Sequence, residues 1–191
     1  MYIHEYSHAV LEIPPERRGP FGVPELAWLA ASAENADLPQ DSVELLRLRS
    51  EGMTEDNAAA ELGISHRTAV KIQRELFDSI GAVEGAHATR ILIEAGHIAT
   101  NPDTIEYPDL LTEHERMALD LTTRGYMISD TARLMQRFTG LVVSDGVMRG
   151  LLWEGRRKLE VPNLRPPLVR RAYEAGVLRR FLKYDVQSSQ E

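Results

Sequence analysis

The chain has no cysteine among its 191 residues, which excludes disulfides and thiolate-held metal. No stretch approaches the roughly 18 apolar residues of a membrane span, so no membrane partner is expected. The opening MYIHEYSHAV lacks a basic region followed by an apolar run. No signal peptide is expected from it, and a cytoplasmic location is. There is no glycine-rich phosphate loop and no nucleophile elbow, and the carboxylates are spread along amphipathic faces. The expectation is therefore no enzyme, no catalytic residue and no cofactor. Basic residues are also scarce at first: residues 1–64 hold 4 basic and 12 acidic side chains.

One motif resembles a catalytic metal site. His4-Glu5-Tyr6-Ser7-His8 has two histidines four apart with a glutamate between them, as in a zinc protease helix. That chemistry needs a helix, a third ligand and a cleft, yet only three residues precede the motif and Pro14-Pro15 closes the segment. It is read as a chance match, and no metal is expected.

Charge and repetition say more. The net charge is −7, yet residues 111–191 hold 14 basic and 10 acidic residues. Binding of a polyanion depends on the local field at the contacting face, so the whole-chain sum does not exclude nucleic acid. The chain also carries one helical pattern twice, over residues 38–98 and 111–178. In register, Leu38 meets Leu111, Leu46 meets Leu119, Leu48 meets Leu121, Gly52 meets Gly125 and Ala59 meets Ala132. Later Ser65 meets Ser144, Ile80 meets Leu159, and Glu94-Ala95-Gly96 meets Glu174-Ala175-Gly176. A duplicated small helical unit suits a repeating partner such as paired half-sites on double-stranded DNA.

Each repeat reads as four helices. In the first, a helix ends near Gly52, Thr54 caps a second, and Ser65 caps a third after the tight turn Gly63-Ile64-Ser65. Ala69, Ile72, Leu76 and Ile80 form a buried stripe on that third helix. The fourth runs over roughly 87–95. In the second repeat Thr112 caps a first helix ending at Gly125. Further helices cover roughly 129–138, 145–159 and 166–175, and the turn over 139–143 is longer than its counterpart by about six residues. Residues 23–33 read as a preceding helix with Pro24 in its first turn. Residues 2–13 read as a strand or short helix. Arg179, Arg180 and Lys183 extend the last helix as a basic continuation.

The stretch LLRLRSEGMTEDNAAAELGISHRTAVKIQRELFDSIGA resembles the helix-turn-helix of the LuxR/GerE family. The resemblance rests on the leucine-rich first helix, then Gly, Thr, Ala and Leu around a tight turn, then Ser-x-x-Thr opening a third helix. ATRILIEAGHI resembles the family's fourth helix, which commonly dimerises. LTEHERMALDLTTRG and RRKLEVPNLRPPLVRRAYEAGVL resemble the start and end of a second such unit. Sigma factor region four shares the first three helices, but the fourth-helix match favours LuxR/GerE. The chain departs from the family in places. Val70 and Ile72 stand where Lys and His are usual, and Asp56 where a basic residue is common. Arg149 fills the Lys position of the second unit, Lys158 matches a late lysine, and Gly155 stands where a core aliphatic is expected.

The resemblance implies an all-α fold of two tandem four-helix helix-turn-helix domains with a short N-terminal arm. The arm covers 1–37, the first domain 38–99, a linker 100–110, the second domain 111–183 and a polar tail 184–191. It further implies sequence-specific binding of double-stranded DNA in transcriptional regulation. A helix in the major groove presents its N-terminal side chains to base edges. The candidate DNA-binding residues are Ser65, His66, Arg67, Thr68, Lys71 and Arg74 in the first unit. In the second they are Ser144, Arg149, Arg156, Arg157 and Lys158. Arg67 and Arg149 are the base-reading candidates, and Thr68, Lys71, Arg74, Arg156, Arg157 and Lys158 are candidates for phosphate. Arg170-Arg171 and Arg179-Arg180 have two readings, phosphate binding or pairing with the acidic first third. Trp28 and Trp153 are read as core or interface. The expected assembly is a monomer with pseudo-dimeric repeats or a homodimer. The alternative function is a protein-binding adaptor that holds a transcription factor or RNA polymerase subunit on one or both degenerate units.

Overall fold

The computed structural model describes residues 11–101, 110–161 and 165–178, and among them every regular element is a helix. Residues 1–10, which contain the His4–His8 motif, lie outside the described residues, as do Arg179, Arg180 and Lys183. The described helices are α1 (Leu26–Glu34), α2 (Gln40–Ser50), α3 (Glu55–Glu61), α4 (His66–Ile80), α5 (Gly85–Glu94), α6 (Glu113–Thr123), α7 (Ile128–Thr139), α8 (Asp145–Lys158) and α9 (Arg165–Glu174). No described helix is long and apolar enough to cross a membrane.

The starts of these helices are set by side-chain caps. Thr54, Ser65 and Ser144 accept from the amides of Asn57, Thr68 and Val147, three residues on in each case. Thr112 and Glu115 form a reciprocal capping box, which satisfies two amides that would otherwise lack partners. Helix α1 begins later than the 23–33 pattern suggests. Pro24 lies before it, in an extended bridge to Arg18, and the Glu25 amide donates to the Arg17 carbonyl at 2.9 Å. That bond holds the chain extended until Leu26.

The duplication is visible in the packing. A small cluster of Leu45, Leu48, Ala58, Ala59 and Ala69 fastens α2, α3 and α4. Ala118, Leu121, Ala132, Leu134, Met135 and Met148 do the same for α6, α7 and α8. Both clusters join a larger one, in which Leu29, Leu46, Leu76, Ile80, Ile91 and Leu92 meet Leu111, Leu119, Leu159, Val169 and Ala172. Each fully buried Leu or Ile contributes about 1.5–3 kcal/mol, so the shared cluster ties the two repeats and α1 into one core. Helices α5 and α9 pack on each other at its centre, and each also reaches across: α5 touches α6, and α9 touches α2.

One expectation is corrected. The extra residues before Ser144 lengthen the helix rather than the turn: α7 has 12 residues where α3 has 7. Leu134 and Met135 continue the apolar stripe of Ile128 and Ala132 into the core, so burial carries the helix on to Gly140, whose left-handed backbone ends it.

Candidate nucleic-acid interface

The site candidates lie on α4 and α8 and on the turns that start them. On α4, burial of Ala69, Leu76 and Ile80 turns Arg67, Lys71 and Arg74 toward solvent. Ser65 is occupied as a cap, with its Oγ also 2.8 Å from the Thr68 hydroxyl. This end of the helix is crowded with carboxylates. The His66 Nδ1 lies 2.8 Å from Asp56 and 3.7 Å from Glu55, and Glu55 also accepts from Arg49 at 2.9 Å. Lys71 lies 3.5 Å from Glu75. Arg67 and Arg74 have no ion-pair partner among the described residues.

On α8, burial of Met148, Gly155 and Leu159 turns Arg149, Trp153 and Arg157 outward. Arg149 and Arg156 have no carboxylate partner among the described residues. Arg157 donates to Glu154 at 2.9 Å along the helix surface. Lys158 is engaged inside the fold, donating to both oxygens of Glu115 at 2.9 and 2.7 Å. Burial works against ionisation of Glu115, but Lys158 and the amide and hydroxyl of Thr112 outweigh it and hold the carboxyl below its ordinary range. Lys158 therefore joins the last turn of α8 to the start of α6, and its ammonium is not free for a phosphate.

Further arginines outside the sequence candidates lie on α7 and α9. Arg133 and Arg137 are exposed four apart on α7, and the Arg133 guanidinium sits 6.0 Å from the Phe21 ring. Their i,i+4 spacing in a basic stretch was the signal that could have found them. Arg165, at the start of α9, pairs with Glu84. Together with Arg149 and Arg156 it lines a pocket of about 300 Å³. Arg170 pairs with Glu51 at 2.8 Å, which is the pairing with the acidic first third. Trp28 packs against the main core, whereas Trp153 is 52% exposed beside the pocket. No cluster that could hold a metal ion occurs among the described residues.

No protein-family model, no curated protein and no solved structure matches this chain.

Proposed function

We propose that the chain is a sequence-specific double-stranded DNA binder of the transcription-regulator kind, built from two tandem helix-turn-helix units. The observation that carries this reading is the pair of outward basic faces on corresponding helices, Arg67, Lys71 and Arg74 on α4 and Arg149 and Arg157 on α8. Each face lies on a helix that follows a capped turn. A helix so presented fits the major groove, with the helix before it crossing the backbone. Helix α8 is then the stronger reader. Arg149 has no carboxylate partner among the described residues and suits the two acceptors of a guanine edge, while Arg137 on α7, and Arg133 beside Asp130, serve the phosphates. Helix α4 contributes less, because Asp56, Glu55 and Glu75 oppose a phosphate there.

The test is selection from a random-sequence duplex library, followed by salt titration of the winner. A motif with two unequal half-sites, and affinity falling steeply with salt, is the expected result. Arg149→Ala should cost about 1–3 kcal/mol and relax one base position, whereas Lys71→Ala should weaken all sequences alike. Absence of any enriched motif would overturn the reading.

A second reading is a protein-binding adaptor. It draws on the same carboxylates around His66 and on the exposed side chains of Leu141 and Val142 ahead of α8 and of Val147 in its first turn. It predicts no enrichment in the selection and no effect of charge reversal at Arg149 on duplex binding.

A further inference from the structure

The pocket beside α8 lies where five helices meet. Its apolar wall is made by Ala86 of α5, Leu119 of α6, Ile128 of α7, Leu152 of α8 and Leu168 of α9. Its polar residues are Thr122, Thr123, Arg149, Arg156 and Arg165, and no carboxylate lines it among the described residues. Arg165 is held by Glu84 at the rim, but Arg149 and Arg156 have no carboxylate partner among the described residues. The Thr122 hydroxyl in the wall is buried and makes no hydrogen bond. At about 300 Å³ the volume falls at the lower end of the range for small-molecule sites.

We propose that this pocket binds a small amphipathic anion, a carboxylate carried on an apolar body. An apolar wall gains from an apolar body by removing both from water. Guanidiniums without partners favour an anionic head, and their planar forks match a carboxylate with two parallel bonds. A DNA phosphate supplies the charge but no apolar group for Leu152, Leu168 and Ile128. An uncharged apolar molecule leaves the two arginines as they are. The position has a consequence that rests on the DNA reading above. Arg149 is the base-reading candidate of α8, so an anion that engages it competes with the duplex and lowers its affinity. The chain would then carry its own input for a small-molecule signal.

Calorimetric titration of the full chain with phenylbutyrate, and separately with phenylbutanol, tests the site without any DNA. The acid should bind one to one, and the alcohol, which keeps the apolar body but has no carboxylate, roughly tenfold or more weaker. Arg149→Gln and Arg156→Gln together should bring the acid down to the level of the alcohol. Equal binding of acid and alcohol would overturn the proposal, as would no heat from either at about 1 mM or acid binding that survives both substitutions. If the acid binds as expected and the duplex selection yields nothing, the site stands and the DNA reading falls. If both succeed, phenylbutyrate should weaken binding of the selected duplex.

Discussion

His87 is fully buried where the first residues of α5 press against the end of α6. Its Nδ1 accepts from the Val83 amide at 3.4 Å, and its Nε2 has no partner. A Cβ at position 125 would lie 2.6 Å from that Nδ1, so the imidazole has room only because residue 125 is glycine. Gly125 also has φ +94°, a conformation that side chains disfavour. Burial, followed by the nearby Arg90 guanidinium, lowers the imidazole's pKa from 6.5 to about 4. The unfolded chain takes up this proton near 6.5 and the folded chain only near 4. Between those values the unfolded state binds more protons, so stability rises with pH across the window. It is lost as pH falls through it and levels off below. The group accounts for about 3 kcal/mol over that span. Urea unfolding at a series of pH values should show the slope, and His87→Met should flatten it. An unchanged slope in the variant would assign the pH dependence elsewhere.

At the scale of elements, what was legible is what is local. Thr54, Ser65, Thr112 and Ser144 each cap an amide three residues away, and a spacing of three is printed in the chain itself. The outward faces of α4 and α8 follow from the same reasoning, since the apolar spacing fixes which side chains remain outside. What could not be read depends on distant partners. Lys158 finds Glu115 43 residues away, and His66 meets Asp56 across a turn. The pocket needs five helices at once. Helix α7 was legible over 129–138, within a residue of each end; what was misjudged is the turn after it, because the extra residues are spent inside the helix, where Leu134 and Met135 have a core to enter. Gly155 gives a test at this scale. It lies inside α8 at the place matching Leu76, and a Cβ there would sit 3.9 Å from the methyls of Leu111, an ordinary contact. Gly155→Ala should therefore raise stability by about 0.5–1 kcal/mol, by removing backbone freedom from the unfolded chain. A drop in the thermal midpoint would mean that Leu111 cannot yield the space.

At the scale of the whole molecule, the two repeats are joined by a reciprocal exchange in which the charges are inverted. Arg90 of α5 donates to the Asp120 carboxylate at 2.7 Å, and to the Asp120 carbonyl and the Thr123 hydroxyl on α6. Asp120 is also paired with Arg124 at 2.9 Å. In the other direction, Arg170 of α9 donates to Glu51 at the end of α2, and Glu51 is paired with Arg47. The acid stands at the earlier position of the i,i+4 pair in α6 and at the later one beside α2. Two copies of the same repeat brought together in this manner would set Arg90 against Arg47, or Arg170 against Arg124. The arrangement thus favours one repeat pairing with the other over either pairing with itself.

The two contacts differ in burial, and so in what each costs to break. Arg90 is 2% exposed and Arg170 16%. Removing Asp120 takes from the buried guanidinium the carboxylate it donates to and leaves Glu94 as its remaining counter-charge, which costs about 3 kcal/mol. Removing Glu51 leaves a guanidinium that water reaches and that Glu174 still holds, so Glu51→Ala should cost about 1 kcal/mol or less. Arg90→Met combined with Asp120→Ala should recover much of the single-variant loss, because an apolar chain then replaces a buried guanidinium that has lost its Asp120 hydrogen bond. Equilibrium urea unfolding of the three variants decides it. Equal small losses at Asp120 and Glu51 would show that neither pair carries the junction. The shared cluster of Leu46, Ile91, Leu92, Leu119 and Val169 would then hold the repeats together without electrostatic direction.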